Sequence, residues 1–161
     1  MMRVGQGFDV HAFEPGSGVV LGGVHIPFDK ALKAHSDGDV LIHALCDALL
    51  GAVALGDIGR HFPDSDPRYR GISSVELLQA VMRLLAARQW SFVNADMTVI
   101  AEAPKIAPHV PAMVNRLAAA IPCQPEQLNI KATTSEGLGF TGRGEGIACQ
   151  AVVLIQPLVS A

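Results

Sequence analysis

The sequence predicts a single α+β domain with one mixed β-sheet and helices packed on one face. Its 161 residues are close to the usual size of one domain. The apolar patterns follow in the order strand, hairpin, two helices, strand, helix, strand, strand, without an internal repeat or a linker. Half of the residues are apolar and only 17% are charged, against about 25% in typical domains. We therefore expect one domain over residues 1–161 that buries further apolar surface in an oligomer.

The chain opens with a strand and a hairpin. Residues 3–10 are short, glycine-punctuated and strand-like. Residues 19–21 and 24–26 flank the pair Gly22-Gly23, which is typical of a tight β-hairpin.

A buried helix and a long loop follow the hairpin. Apolar residues recur at helical spacing over residues 40–53, so a broad face of this helix should be buried. Ser36 and Asp37 are candidate caps for a helix that begins near Asp39. Residues 56–71 contain Gly, Pro, Asp and Arg without periodicity, which predicts a long loop over a site or an interface.

Further elements are predicted after the loop. Ser73 and Glu76 have the spacing of a capping box before a helix at residues 75–85. Strict alternation predicts a strand covered on one face over residues 93–101. The remaining predicted elements are a proline-bounded helix at about residues 110–121 and strands at residues 128–132 and 147–155.

Charge and composition exclude several classes of protein. A formal net charge of −3, with neither sign gathered into a block, does not suit a nucleic-acid backbone or an acidic membrane. Arg3 and Asp9 interrupt the N-terminal residues before an apolar run develops, so no secretory signal is expected. The longest uncharged stretch, residues 146–161, is shorter than the roughly 20 apolar residues of a membrane span. We therefore expect a cytoplasmic protein without nucleic-acid or membrane partners, whose cysteines, Cys46, Cys123 and Cys149, are reduced core residues.

One set of residues has the composition of a metal site. Asp9 and His11 are two residues apart in a predicted strand, so their side chains point to the same side. His43 lies one helical turn from both Asp39 and Asp47, either of which could hold its second ring nitrogen. Two histidines and one aspartate leave a fourth tetrahedral position open, as in a catalytic zinc site. The alternative is a solvated strand end beside a hydrogen-bonded core histidine.

Two further segments suit anionic ligands. His35 and Ser36 precede a predicted helix, whose N-terminus can bind an anionic oxygen, although an ordinary cap explains the same residues. Residues 133–143 offer hydroxyls, flexible backbone, a carboxylate and a guanidinium, which suit a polyphosphate with a divalent cation. A plain glycine-rich turn is the alternative, and neither a P-loop nor a dinucleotide-binding motif is present. Because no nucleophile motif occurs either, the residues favour phosphate chemistry that works by positioning and charge stabilisation.

Several separate motifs occur in one order along nearly the whole chain. They are RVGQGFDVH at residues 3–11, AHSDGDV at 34–40, GDIG at 56–59 with FPD at 62–64, APK at 103–105, KATT at 131–134 and GFTGRGEG at 139–146. Together they resemble the 2-C-methyl-D-erythritol 2,4-cyclodiphosphate synthase family of the non-mevalonate isoprenoid pathway. The resemblance implies a lyase reaction in which the 2-phosphate of 4-diphosphocytidyl-2-C-methyl-D-erythritol 2-phosphate attacks the β-phosphorus and CMP leaves. It also implies Zn²⁺ bound by Asp9, His11 and His43.

The same resemblance assigns the remaining site residues. Glu136 would hold Mg²⁺ or Mn²⁺ between the α- and β-phosphates, and His35 and Thr134 would position and stabilise the transition state. The positions that match substrate-contacting residues of the family are Asp9, Val10, His11, His35, Ser36, Asp57, Ile58, Gly59, Phe62, Pro63, Asp64, Ser65, Asp66, Ala101, Glu102, Ala103, Pro104, Lys105, Ile106, Ala107, Ala132, Thr133, Thr134, Ser135, Glu136, Phe140 and Arg143.

The resemblance further implies a homotrimer whose sheets face a central axis, with each active site between neighbouring subunits. Phe8, Arg143 and Glu145 match positions around an axial cavity that binds an isoprenoid diphosphate in some members. Gln6 departs from the family pattern, because many relatives have histidine there. Two alternatives use the same residues: a metal-dependent phosphohydrolase, and a non-catalytic trimer that binds an isoprenoid or a nucleotide.

Overall fold

The computed structural model of the chain describes residues 1–63, 65–69 and 71–158. The order of its elements agrees with the predicted α+β class. The strands are β1 (Arg3–Pro15), β2 (Gly18–Leu21), β3 (Val24–Pro27), β4 (Lys30–Leu32), β5 (Trp90–Ile100), β6 (Leu128–Thr133) and β7 (Gly146–Pro157). The helices are α1 (Val40–Ala52), α2 (Ile58–His61), α3 (Ser74–Ala87), α4 (Val110–Ala120) and α5 (Gly139–Gly142), with 3-10 turns at Pro67–Tyr69, Ala107–His109 and Pro125–Gln127.

Five strands form one mixed sheet in the order β4-β1-β7-β5-β6, while β2 and β3 form the predicted hairpin. Strands β1 and β5 pair antiparallel with β7, and β6 pairs parallel with β5. A parallel neighbour requires a crossover connection, which α4 supplies. The predicted alternation holds in β5, where Ala95, Met97 and Val99 are buried. The mixed sheet with helices on one face is therefore confirmed.

Helix α1 packs against β1 and β7 and is buried around most of its circumference. Its N-cap is Asp39, whose carboxylate accepts the N–H of Ile42. The prediction that Ser36 or Asp37 caps this helix was wrong. The Asp37 carboxylate is instead bonded to the backbone N–H of Ser74, and Asp39 is the residue placed to reach the first turn.

Asp39 also joins the hairpin to α1. Its carboxylate accepts the backbone N–H of Gly22 at 3.0 Å and that of Gly23 at 2.7 Å. Burial raises the pKa of Asp39 to about 6, against the opposing effect of its three hydrogen bonds to backbone N–H groups. Because a side chain of the protein itself occupies this helix N-terminus, the structure favours the ordinary cap over a separate anion site there.

The face of the sheet opposite the helices exposes apolar side chains. Val4, Phe8 and Val10 alternate along β1 and are 66%, 48% and 43% exposed, and Val152 of the neighbouring β7 is 46% exposed. Single exposed apolar residues are common, but a row on adjacent strands of one sheet face marks an interaction surface.

Two segments differ from the sequence prediction. Strand β1 continues past residue 10 to Pro15, because residues 13–15 pair with β4, a three-residue strand that the apolar pattern does not indicate. The predicted loop at residues 56–71 contains α2 and a 3-10 turn. The capping box of Ser73 and Glu76 before α3 is confirmed.

The cysteine prediction is also confirmed. Cys46 and Cys149 are buried, Cys123 is half-buried, and all three are free. Within the described part of the chain, the helices are too short or too polar to cross a bilayer.

Candidate metal centre and active site

Strand β1 places Asp9 and His11 on the face of the sheet that α1 covers, as their spacing predicted. The Asp9 Oδ2 and His11 Nε2 atoms are 3.0 Å apart. The other ring nitrogen of His11, Nδ1, lies 2.9 Å from the carbonyl oxygen of Lys33. A carbonyl can only accept, so Nδ1 must donate, and Nε2 of the neutral ring is left with its lone pair towards Asp9.

Helix α1 brings His43 against this pair. Its Nδ1 is 3.1 Å from Asp9 Oδ2 and 3.2 Å from His11 Nε2, and the side chain is nearly buried. The close approach of helix and strand depends on glycine. A Cβ atom at Gly7 would lie 1.9 Å from the carbonyl oxygen of Ala44, so only glycine lets α1 pack this tightly against β1.

The three side chains fit a divalent metal ion. Two imidazole nitrogens and one carboxylate oxygen lie within 4.8 Å of one another, and they form the one group of three or more such ligands among the described residues. This is a donor set that zinc prefers, with a tetrahedral position left for substrate. The sequence left open whether these residues form a metal site or a solvated strand end beside a hydrogen-bonded core histidine. Because the strand residues and the histidine lie in one cluster, the structure favours the metal site.

The charges of the cluster also suit a cation. Burial would raise the pKa of Asp9, but hydrogen bonds and charges from His11 and His43 outweigh burial and lower that pKa to about 2. The hydrogen bond to Asp9 raises the pKa of His11. A metal ion would replace the positive charge of that proton, so metal binding and protonation compete here.

The second ring nitrogen of His43 does not contact a carboxylate of its own helix, and the sequence prediction was wrong here. His43 Nε2 lies 3.0 Å from Ser74 Oγ and 3.4 Å from Ser36 Oγ. Asp39 faces the hairpin instead. Asp47 accepts the backbone N–H of Ile58 at 2.8 Å and so fixes the start of α2.

The metal cluster opens into a cavity of about 970 Å³. The predicted loop at residues 56–71 forms one wall of the cavity, as expected. Site residues from the sequence analysis that line it are Asp9, His11, His35, Ser36, His43, Ile58, Gly59, Phe62, Pro63 and Ser65. Lining residues that the sequence analysis missed are Lys33, Ala34, Pro67, Tyr69, Ile72 and Leu77. Of these, only Tyr69 could have been identified from the sequence as a candidate lining residue, because it is the one tyrosine of the chain and lies within the predicted loop.

Some expected substrate residues do not line this cavity. Val10 lies on the opposite face of β1 from Asp9 and His11. Asp57 caps α2 by accepting the N–H of Arg60. Asp66 forms an exposed ion pair with Arg68. Asp64 lies outside the described residues.

A second group of expected site residues lies elsewhere, at the ends of β5 and β6. Residues 101–107 and 132–136 meet where the Glu102 carboxylate accepts the backbone N–H groups of Ser135 at 3.1 Å and Gly137 at 3.3 Å. Glu136 is exposed, and its backbone φ is 55°. Its Oε1 lies 3.5 Å from the hydroxyl of Thr134. This segment presents a carboxylate and hydroxyls to solvent, away from the cavity.

The sheet register separates the two groups. Asp9 is opposite Cys149, Cys149 is opposite Val99, and Val99 is opposite Ala132. Asp9 and Ala132 therefore lie on one row across four strands, about 14 Å apart at the usual spacing of neighbouring strands. One chain alone does not bring the metal cluster and the Glu136 segment together.

The residues expected around an axial cavity are exposed to solvent in the single chain. Phe8 is half exposed, and Arg143 and Glu145 form an exposed ion pair with 3.0 Å between Nε and Oε1. Phe140 lies in α5 and is also exposed. The Gln6 side chain donates to the carbonyl oxygen of Gly7 at 2.8 Å.

Comparisons with known proteins agree with this architecture. The model of the YgbB family matches residues 2–156. The 2-C-methyl-D-erythritol 2,4-cyclodiphosphate synthase of Alcanivorax borkumensis is 61% identical over 155 residues, which are 96% of this chain and 97% of the relative.

Two solved structures extend the comparison. The bifunctional IspDF from Campylobacter jejuni is 41% identical with a TM-score of 0.93, over 98% of this chain and 42% of that longer chain. IspF of Plasmodium falciparum, solved as a CDP complex, is 31% identical with a TM-score of 0.85, over 97% of this chain and 96% of that one. Because the family model and these relatives span nearly the whole sequence, the chain belongs to the YgbB family.

Proposed function

We propose that this protein is a phosphorus–oxygen lyase that converts 4-diphosphocytidyl-2-C-methyl-D-erythritol 2-phosphate to 2-C-methyl-D-erythritol 2,4-cyclodiphosphate and CMP. The observation that carries the proposal is the Asp9, His11 and His43 cluster at the base of a cavity of about 970 Å³. It occurs in a chain 61% identical to a synthase of that name. The CDP bound in a similar solved structure supports a cytidine diphosphate substrate.

The reaction depends more on positioning the two phosphates than on a general base to activate the nucleophile. A phosphate monoester loses its second proton with a pKa of about 6, so the attacking 2-phosphate is already ionised near neutral pH. The main obstacle is repulsion between two anionic phosphates. Asp9, His11 and His43 would hold Zn²⁺, which when bound supplies Lewis-acid stabilisation of the β-phosphate. His35 and Ser36, both on the cavity wall, would orient the reacting phosphates by hydrogen bonds.

The Glu136 segment would serve the leaving group. Glu136 would hold Mg²⁺ or Mn²⁺, whose oxygen preference matches a carboxylate and phosphate oxygens. Thr134, whose hydroxyl lies beside this carboxylate, would donate to the phosphate on which charge accumulates. Residues 101–107 and 132–134 would hold the cytidine largely through their backbone.

The active site is formed between two subunits. Adjacent phosphates of one substrate are only a few ångströms apart, whereas Asp9 and Ala132 of one chain are separated by about 14 Å. The Glu136 segment that completes the site must therefore come from another copy. The exposed apolar row of Val4, Phe8, Val10 and Val152 supports association through the sheet. We propose the homotrimer of the family resemblance, with the sheets facing its axis.

The centre of that trimer would take an isoprenoid diphosphate. Phe8 supplies an apolar wall, and Arg143 a guanidinium that can bind a diphosphate in a bidentate manner. The ion pair of Arg143 with Glu145 would have to open for this contact. Gln6 is neutral at every pH, so any role of a charge at its position is absent here. The proposal includes the expected cytoplasmic location and no nucleic-acid or membrane partner.

The first experiment is ³¹P NMR of the purified protein with zinc, magnesium and the substrate. Coupled resonances of a cyclic diphosphate, together with CMP, are expected. Linear phosphates would overturn the cyclase in favour of a phosphohydrolase. Unchanged substrate in a metal-loaded oligomer would instead favour the non-catalytic binding protein.

A pair of variants tests the metal assignments. His43→Ala should lose zinc and activity, whereas Glu136→Gln should show an impaired response to magnesium or manganese and keep its zinc. Zinc loss in Glu136→Gln would show that one site was divided wrongly into two.

Mixing the two variants tests the shared active site. If His43 and Glu136 act from different subunits, randomly mixed trimers contain about one quarter of sites with both residues intact. Co-expressed His43→Ala and Glu136→Gln chains should then be more active than either variant alone. No regained activity in verified mixed trimers would place both residues in the site of a single chain.

A further inference from the structure

A hydroxyl group buried behind the metal cluster contacts the ring nitrogen of His43 that faces away from the ligands. Ser74 begins α3, is fully buried, and its Oγ lies 3.0 Å from His43 Nε2. Asp37 contacts the same serine twice. One carboxylate oxygen accepts the backbone N–H of Ser74 at 2.9 Å, and the other accepts its hydroxyl.

These contacts determine where the protons lie. An ionised carboxylate has no proton to donate, so the single hydroxyl proton of Ser74 is committed to Asp37. Ser74 Oγ can then only accept from His43, and Nε2 must bear the proton. In the neutral ring, the Nδ1 lone pair consequently points to Asp9 and His11, at 3.1 Å and 3.2 Å.

We propose that Ser74, oriented by Asp37, is a positioning residue that keeps the proton of His43 on Nε2 and so presents Nδ1 as a metal ligand. The inference rests on the metal site of the proposed function and goes beyond its ligand set. Ring nitrogens opposite a metal commonly have a partner of this kind, and its loss typically weakens metal binding about 10- to 100-fold.

Without Ser74, the ring proton has a competing acceptor. Asp9 Oδ2 lies 3.1 Å from His43 Nδ1 and can accept a proton from it. A ring protonated at Nδ1 would satisfy Asp9 but would block the metal position. The Ser36 hydroxyl is a poorer substitute, because it is 3.4 Å from Nε2 and also accepts the N–H of Gly38. Ser74 is therefore needed to keep the ring proton on Nε2 against the competing acceptor Asp9 at Nδ1.

His11 shows the same arrangement with a backbone group. Its outer nitrogen, Nδ1, is held by the carbonyl oxygen of Lys33 at 2.9 Å, which leaves Nε2 for the metal. The two histidines use opposite ring nitrogens as ligands, and each outer nitrogen has an acceptor suited to that choice. Only the acceptor of His43 is a side chain that a substitution can remove.

The neighbouring serine provides a matched control. Ser73 caps α3 through Glu76 and does not contact His43 in the described structure. Ser73→Ala and Ser74→Ala remove the same atom from adjacent positions. Both should cost stability, but only Ser74→Ala should act on the metal site.

The first measurement is the tautomer of His43 in the metal-free protein, by ¹⁵N NMR at a pH where the imidazoles are neutral. The proton should be on Nε2 in the wild type and in Ser73→Ala, and it should move to Nδ1 in Ser74→Ala. The second measurement is zinc affinity by competition with a chromophoric chelator. We expect Ser74→Ala to bind zinc at least 10-fold more weakly and Ser73→Ala to bind it like the wild type.

Asp37→Asn provides a second variant that tests the same contact if Ser74→Ala does not fold. The backbone N–H and the hydroxyl of Ser74 donate to different oxygens of Asp37, and the amide replaces one of these oxygens with an NH2 group that cannot accept. Its effects on the tautomer and on zinc affinity should follow the same direction.

A folded Ser74→Ala or Asp37→Asn protein with the wild-type tautomer and zinc affinity would overturn the inference. That result differs from failure of the proposed function, in which the wild type itself would not bind zinc or form the cyclic product.

Discussion

Replacing Gly7 by alanine should damage the metal centre without touching a ligand. The new Cβ atom would lie 1.9 Å from the carbonyl oxygen of Ala44, and ordinary contacts begin at 3.4 Å, so α1 and β1 must separate locally by about 1.5 Å. The obstructing atom belongs to the helix backbone and cannot rotate away. Overpacking of a core costs about 1–3 kcal/mol, and we expect the upper end of this range because a whole helix must move.

The displacement would reach the metal ligands directly. His43 precedes Ala44 on the moved helix, whereas Asp9 follows Gly7 on the fixed strand, and the two side chains are only 3.1 Å apart. Gly7→Ala should therefore lower the melting temperature by several degrees, at about 2–4 °C per kcal/mol for a chain of this size. Zinc affinity should also fall at least about 10-fold.

Gly51→Ala is the matched control for this substitution. Gly51 lies on the same helix, and its nearest neighbour to a new Cβ would be 3.9 Å away. Alanine should leave zinc binding unchanged there and stabilise the helix by about 0.5–1 kcal/mol. The assay is thermal unfolding of the metal-free protein, followed by chelator competition. Equal melting temperatures and zinc affinities for Gly7→Ala and the wild type would refute the packing argument.

Three further predictions concern charge and assembly. Asp39→Ala should destabilise the protein by at least about 3 kcal/mol in chemical denaturation, because three backbone N–H groups lose their acceptor; a loss below 1 kcal/mol would contradict this role. Asp9 has its pKa lowered to about 2 in the folded protein, so its stabilising effect is present above its ordinary value of 3.8 and is lost as the pH falls towards 2. The metal-free wild type should thus lose about 1–2 kcal/mol more than Asp9→Asn over this interval, after allowance for solvent screening, and parallel pH profiles would oppose the prediction. Phe8→Asp should dissociate the oligomer in analytical ultracentrifugation and remove activity, whereas an intact, active oligomer would exclude this sheet face as the interface.

Most of the fold could be predicted from local pattern. The hairpin around Gly22-Gly23, the buried helix from residue 40 and the alternating strand from residue 93 all appear as expected. Each depends on the side-chain periodicity of its own segment, which the sequence displays directly. The short strand β4 could not be predicted, because its only signal is pairing with residues 13–15, far away in sequence.

The residues of the candidate metal site were also accessible from the sequence. Asp9 and His11 share a face through strand alternation, and His43 belongs to a helix that its own pattern predicts. Their partners behind the ligands were not accessible. Helical spacing suggested Asp39 or Asp47, whereas Ser74 holds the ring, 31 residues from His43 along the chain.

The sequence by itself determined the types of the longer elements, the candidate ligand residues and the family to which the chain belongs, since all of these follow from local periodicity or from contiguous motifs. Only the tertiary structure decided how tightly α1 approaches β1, which ring nitrogen of each histidine faces the metal position, and that Ala132, near the start of the Glu136 segment, lies about 14 Å across the sheet from Asp9. These features depend on hydrogen bonds and packing between residues distant in sequence. No local pattern of residues specifies such contacts.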